Sequence, residues 1–284
     1  MSPSESKMPD TAIVTDSTSD LPAQIARDLR IEVVPALVTM DGKSHQDGLD
    51  LSRPDFYRRL PSLREPATTA APPPGAFEAL YRRLLEGGAR QILSIHLSSR
   101  LSAMINMARQ AAKGVGEQIH IFDSLQVSLG LGFQVMEAAA AALRDEPFEA
   151  IHEAARRARD RVRLVAMIDT LEYLRRSGRV GWIRAGIGDL LRVKLLVRVA
   201  DGVVQRIGEV RTKNRALDQL RALAESWGPL ERLAVLHSGV PEEAAAFAER
   251  LRNLTSRMPL IVDVTTAIGT HVGPGSIGLA ALSR

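Results

Sequence analysis

The chain of 284 residues contains no cysteine. That absence excludes disulfide staples, thiolate metal sites and a cysteine nucleophile. It also fits a reducing compartment, so a cytoplasmic protein is expected. Aromatic residues are scarce, at 4% of the chain. They do not interleave with the basic residues as stacking platforms would, so no nucleic-acid partner is expected. No apolar run is long enough to cross a bilayer, and the richest patch, Ala138 to Leu143, is far too short. The first ten residues, MSPSESKMPD, lack the apolar core of a signal peptide and read as a disordered tail. Catalytic signatures are missing too. There is no GxSxG elbow, no GxxxxGKS/T phosphate loop and no HExxH, and the six histidines show no metal-ligand spacing. Neither a metal nor a cofactor is expected.

What is present looks globular. Hydrophobic residues make up 45% of the chain and charged residues 25%, enough for a sizeable core with room for a ligand cavity. The formal charge is +4. Arginines gather in the middle, at Arg156, Arg157, Arg159, Arg161 and Arg163, then at Arg175, Arg176, Arg179 and Arg184. They read either as a solvated helix face or as a basic surface for an acidic partner, a phosphate or an anionic lipid.

The first half alternates strand and helix signals. TAIVTDS (11–17), IEVVPALVTM (31–40), QILSIHL (91–97) and IHIFDS (119–124) read as strands. Between them fall helices: one ending near Leu29, one opened by Ser52 with Asp55 in its first turn, one from Pro74 to Gly87 and Gly88, and one from Leu101 to Lys113 stopped by Gly114. An alanine-rich helix runs to Leu143. Such alternation predicts a parallel sheet with helices on both faces. In the second half, the pattern predicts a helix from Ile151 to Arg161, the strand LVAMID (164–169) and a helix ended by Gly178. Two strands turn at Asp201-Gly202, a strong hairpin signal. Further helices flank the strands LAVLHS (233–238) and LIVDVT (260–265). The expected fold is therefore α/β in two domains: a Rossmann-like parallel sheet over residues 11–160, and an α/β domain with a mixed or antiparallel sheet over residues 161–284.

Ligands of open parallel sheets sit outside the carboxyl ends of the strands. Three expected strands end there in hydroxyl or acidic residues: Thr15, Asp16, Ser17, Thr18 and Ser19; Ser98 and Ser99 followed by Ser102; Asp123 and Ser124. Each group precedes a helix and suits an anionic ligand. Each also suits simple helix capping. The segment IGTHVGPGSIG holds one histidine, His271, among Gly269, Gly273, Gly275 and Gly278, and reads as a glycine loop built around it. A serine hydrolase could be assembled from Ser98, His271 and Asp16 or Asp123. A third reading is a regulatory protein with a structural lipid, carried by the basic middle region.

The same residues resemble the DegV family. IVTDSTSDLP (13–22), IEVVPALVTMDGKSHQDGLDLS (31–52), LSSRLSAM (97–104), FDSLQVSLGLG (122–132), DTLEYLRRSGRVG (169–181), EVRTKNRAL (209–217), HSG (237–239) and IGTHVGPG (268–275) occur in family order. The resemblance implies two α/β domains that bind a long-chain fatty acid. It also implies a non-enzymatic role in bacterial fatty acid phosphorylation. The protein would present the fatty acid to a separate ATP-dependent kinase, whose acyl-phosphate product enters phospholipid synthesis. Transient contact with a membrane surface belongs to the same expectation.

Family positions fall on Thr69, on Ser98 or Ser99, on His271 and on Arg211. Asp16 and Ser17 at the first strand end, with Gly273 of the glycine segment, complete the expected ligand-binding set. Three departures stand beside the expected head group. Ala70-Ala71 replaces Ser-Gln, Ala103-Met104 replaces Gly-Thr, and Lys194-Leu195 replaces Lys-Pro. The acyl chain selected and the recognition of the partner therefore lie outside what the resemblance implies.

Overall fold

A computed structural model describes residues 9–179, 181, 183–184 and 193–284. The expected disordered tail lies almost wholly outside the described residues. The first half runs β1 (Thr11–Asp16), α1 (Ala23–Asp28), β2 (Ile31–Val34), β3 (Leu37–Met40), β4 (Lys43–Gln46), α2 (Arg53–Arg59), β5 (Thr68–Ala70) and α3 (Pro74–Glu86). It continues with β6 (Gln91–His96), α4 (Met104–Val115), β7 (Ile119–Asp123), α5 (Leu129–Leu143) and α6 (Phe148–Arg161). The second half runs β8 (Val162–Ile168), α7 (Glu172–Arg176), β9 (Ile183–Arg184), β10 (Lys194–Ala200), β11 (Val203–Val210), α8 (Lys213–Ser226), β12 (Leu230–His237), α9 (Pro241–Arg250), β13 (Leu260–Asp263), α10 (Thr266–Val272) and β14 (Ile277–Ser283).

The fold is α/β, as expected. Strands β2, β1, β6 and β7 form a parallel sheet in that order. Their near-continuous apolar sequences match burial on both faces, and β1 is buried at every position. The second large sheet is mixed. Its seven strands lie in the order β13-β12-β14-β8-β10-β11-β9, with parallel pairs at the two edges and antiparallel pairs between them. The turn at Asp201 and Gly202 joins β10 to β11, with φ of 52° and 76°, as the hairpin signal predicts.

Helix α5 ties the two sheets together, since it packs against β1 and β6 of one and β8 and β14 of the other. It is apolar almost all round, as a helix buried on several sides must be. Gly132 permits that closeness: a Cβ there would stand 2.7 Å from the Ser19 carbonyl oxygen. Each fully buried side chain such as Phe133 adds about 1.5–3 kcal/mol, and one apolar core runs from β1 residues to Ala280 and Leu282 of β14.

Three expectations need correction. Residues 31–40 are two strands, not one: β2 belongs to the parallel sheet and β3 to a small antiparallel sheet, β4-β3-β5. Pro35 has no N–H for a ladder. At Ala36 the backbone leaves the ladder, its N–H donating to Ser17 Oγ at 3.0 Å and its carbonyl accepting from Asp47 N at 2.9 Å. Helix α4 passes through Gly114 and stops at Gly116, whose φ of 149° breaks the helix. A further strand, β14, follows the last expected one and is central, paired with both β12 and β8.

Candidate functional site

Where the carboxyl end of the parallel sheet faces the mixed sheet, the chain leaves a cavity of about 280 Å³. Its polar lining residues are Thr18, Thr69, Ser102, Arg179 and His271, and most of the rest is aliphatic, including Leu97, Leu101, Met104, Ile168 and Leu174. A second lobe of about 110 Å³ shares Val127, Val197, Val204, Ile268 and Val272 with the first, and runs on to Leu236, Val264 and Gly278. The serines along this second lobe already have protein partners. Ser128 donates to Asp20, and Ser238 accepts from Ser276 N at 2.9 Å. The second lobe is therefore apolar in character, while the first has a polar end.

That polar end is a pair. Thr69 Oγ1 lies 2.9 Å from His271 Nε2, and either atom can donate depending on the imidazole tautomer. Thr69 sits in the middle of β5, paired with Val38 of β3. Burial pushes the His271 pKa from 6.5 down to about 3, with the Arg179 charge acting in the same direction. The imidazole is thus neutral near pH 7 and can give one N–H without bringing a buried charge. Threonine hydroxyl, imidazole N–H and the Arg179 guanidinium form a donor set suited to a carboxylate or phosphate.

His271 does not stand in a glycine loop. It lies in the last turn of α10, and Gly273 ends that helix with φ 67°. The density of glycines favours a loop, yet Gly269 is helical and faces the ring of Tyr57. Residues from the first half hold this helix in place. Asp20 Oδ1 accepts from Thr265 N at 2.8 Å. Asp47 Oδ1 accepts from Thr266 N at 3.0 Å and from Thr266 Oγ1 at 2.6 Å. Tyr57 O–H donates to Val264 O at 2.9 Å, and Arg53 donates to Asp263 O. Burial raises the Asp20 pKa to about 7, opposed by Arg53 and by the Ser128 and Thr265 donors.

The other expected site residues occupy different places. Ser98 is fully buried, but its hydroxyl donates to Gly202 O at 2.8 Å. It therefore pins the β10–β11 turn to the end of β6 instead of lining the cavity. Ser99 is exposed, and its N–H points to Asp123 at 3.4 Å. Arg211 is exposed just past β11 and does not line the cavity. Asp16 is buried and accepts from Thr18 N and Leu97 N, both at 3.1 Å. Ser17 donates to Asp47 Oδ2 at 2.6 Å and so supports the clamp on α10. Gly273 shapes the site at one remove, since a Cβ there would come within 2.0 Å of the Tyr173 ring. Thr18 and Ser102, two of the strand-end hydroxyls, line the cavity, whereas sequence reasoning missed Arg179 as a lining residue. Arg179 was hidden in a run of arginines of which Arg156, Arg157, Arg161 and Arg176 pair with nearby acids. The altered residues Ala70, Ala71, Ala103 and Met104 all line the cavity, so the departures make its wall more apolar.

The proposed hydrolase constellation is not brought together. Asp16 Oδ2 lies 2.9 Å from His96 Nδ1, His96 Nε2 lies 2.7 Å from Ser94 Oγ, and Ser94 Oγ lies 2.8 Å from Tyr81 O–H. This chain has the order of a serine triad, but Asp16, Ser94 and His96 are wholly buried and Tyr81 closes its end. It satisfies polar groups inside the sheet. Among the described residues no group of three His, Asp or Glu side chains could hold a metal ion, and no helix is long and apolar enough to cross a membrane.

Comparison with known proteins gives one consistent result. A family profile described as an uncharacterised protein family, DegV, matches residues 10–284. A DegV domain-containing protein of Streptomyces coelicolor is 34% identical over 280 residues, 96% of this chain and 98% of that one. One of Listeria innocua is 33% identical over 276 residues, 94% of this chain and 96% of the relative. Among solved structures, a fatty-acid-binding DegV family protein from Thermus thermophilus superposes with a TM-score of 0.87 at 28% identity, covering 98% of this chain and 100% of that one. DegV of Bacillus subtilis, a fatty acid binding protein, also gives 0.87, at 29% identity over 98% of this chain and 100% of that one.

Proposed function

The chain belongs to the DegV family, and on that premise we propose that it binds a long-chain fatty acid in the two-lobed cavity, with the carboxylate at Thr69 and His271. The observation that carries this reading is the Thr69–His271 pair at 2.9 Å inside a mainly aliphatic cavity. The carboxylate accepts from the threonine hydroxyl or the imidazole N–H, and Arg179 offsets its charge. The tail runs through the collar of Val127, Val197, Val204, Ile268 and Val272 into the second lobe. Burying roughly ten methylenes contributes about 8 kcal/mol, which is comparable to the cost of association. The head-group bonds, at about 1.5–3 kcal/mol each, then decide whether binding is tight and which end enters first.

The bound acid is presented, in the cytoplasm, to a separate ATP-dependent kinase that phosphorylates the carboxylate for phospholipid synthesis. This protein is the lipid-binding partner and not the catalyst, and it meets the membrane surface only transiently to exchange its ligand. The chemistry supports such a role, because an acyl phosphate carries more charge than a carboxylate and gains more from the same donors. The test has two arms. Native mass spectrometry of the delipidated chain with palmitate should show one fatty acid per chain, and methyl palmitate, which lacks the anionic head, should bind at least tenfold more weakly. Adding a bacterial fatty acid kinase with ATP should consume the bound acid. Equal binding of ester and acid would overturn the head-group assignment. Binding without phosphorylation by any such kinase would overturn the presentation step alone.

A further inference from the structure

The arginine-rich stretch is only partly explained by solvated ion pairs. Arg156, Arg157, Arg161 and Arg176 pair with Glu153, Glu231 and Glu172. Arg159 and Arg163 do not, and with Arg198 they line a separate groove of about 760 Å³ on the outer side of the mixed sheet. None of the three forms an ion pair among the described residues. Arg163 donates to the carbonyls of Asp160 and Val162, Arg198 to Gln205 Oε1 at 2.8 Å, and Arg159 to the Asp123 carbonyl at 3.3 Å. These acceptors are all neutral, and Arg159 also lies over the Phe122 ring at 5.0 Å from its centroid, so Arg163 and Arg198 carry the charges that no direct contact among the described residues compensates.

The groove has an apolar side as well. Helix α8 covers Val165, Met167 and Leu196 of the sheet and then ends at Ser226. Leu223 in its last turn, Trp227 just past its end and the exposed Ile207 of β11 line the groove beside the arginines. A bare inorganic ion would leave this apolar wall unused. Asp160 and Asp201 also line the groove, which disfavours a polyanion. The volume lies in the range of small-molecule sites.

We infer that this groove is a second ligand site, for an amphiphilic anion that carries one phosphate or carboxylate head on an apolar body. The head meets the guanidiniums of Arg163 and Arg198, and the body lies against Trp227 and Leu223. The site is distinct from the fatty acid cavity: it shares with that cavity's second lobe only Leu164, Val165's neighbour on β8, and Val199.

The chain has two tryptophans, so Trp182→Phe leaves Trp227 as the sole reporter. Dodecyl phosphate titrated into the full-length Trp182→Phe protein should change Trp227 emission saturably, and dodecanol should not. Replacing Arg163 and Arg198 by Glu should weaken that response about tenfold or more per lost charge-assisted bond. His271→Ala should leave it intact, which separates this site from the fatty acid cavity. Both arginines are exposed, so the charge-reversed protein should keep its melting temperature. An absent Trp227 response, an equal response to dodecanol, or a response unaffected by Arg163→Glu with Arg198→Glu would overturn the inference. Flotation with phosphatidylcholine vesicles, with and without phosphatidate, identifies the source of the head. Capture that needs phosphatidate and both arginines assigns it to a membrane lipid, and a Trp227 response without capture assigns it to a free amphiphile.

Discussion

Removing the Asp47 carboxylate should both unfold the protein more easily and loosen the proposed fatty acid site. Asp47 is 3% exposed and receives three hydrogen bonds: from Thr266 N at 3.0 Å, Thr266 Oγ1 at 2.6 Å and Ser17 Oγ at 2.6 Å. Bonds to a charged acceptor contribute about 1.5–3 kcal/mol each. The gain is partly offset by the cost of burying the carboxylate, so Asp47→Ala should lose about 3–5 kcal/mol, the usual range for breaking one partner of a buried charged network. Asp47→Asn keeps one oxygen acceptor and should lose about half as much, roughly 2 kcal/mol. Urea unfolding is the assay, and a lower midpoint at unchanged slope marks a true change in stability. Because Thr266 opens the helix that carries His271, palmitate affinity should fall together with stability. A loss below about 1 kcal/mol for Asp47→Ala, with palmitate affinity unchanged, would refute the idea that this clamp positions the site.

Further outcomes follow from the same geometry. Gly273→Ala combines φ 67° with a Cβ 2.0 Å from the Tyr173 ring, so it should cost about 2–4 kcal/mol in thermal or urea unfolding, partly restored by Tyr173→Ala. The lowered His271 pKa means that the unfolded chain takes up the proton first. His271 therefore makes stability fall as pH drops from 6.5 towards about 3, and a difference between wild type and His271→Gln that is independent of pH in that window would contradict the burial. Asp20 has the opposite sign. Its raised pKa favours folding below 3.8, and this contribution is lost as pH rises to about 7, so the pH dependence of urea midpoints should flatten in Asp20→Asn. Ser99→Ala should leave palmitate affinity unchanged because the side chain is exposed outside the cavity, whereas Ser98→Ala should cost about 1 kcal/mol of stability through the lost Gly202 bond.

The alternating strands and helices of the first half were legible because their signals are local. Ser52 caps α2 by accepting from Asp55 N at 3.2 Å, and the Asp-Gly turn forms where its residues predict. Thr69 was legible only through the family resemblance and His271 also through its glycine-rich surroundings, but nothing in either segment says that residues 202 positions apart meet. The aliphatic cavity wall was not legible at all. Val127, Val197 and Val204 have the same character as core residues, and only the packing of two sheets decides that space is left between them. The strand-end residues Asp16 and Ser17 suggested ligand donors, and the structure uses them to satisfy buried backbone and, through Asp47, to brace the helix that carries His271. Strand β14 was passed over because its sequence, IGLAALS, is small and glycine-containing, and its pairing depends on β12 and β8 far away in the chain.

The most direct test of the fatty acid assignment is carbon-13 NMR of carboxyl-labelled palmitate bound to the delipidated protein. The account expects one bound carboxyl resonance per chain that shifts in both Thr69→Val and His271→Gln, and stays in place in Ser99→Ala. A resonance indifferent to Thr69 and His271, or no bound resonance at all, would contradict it.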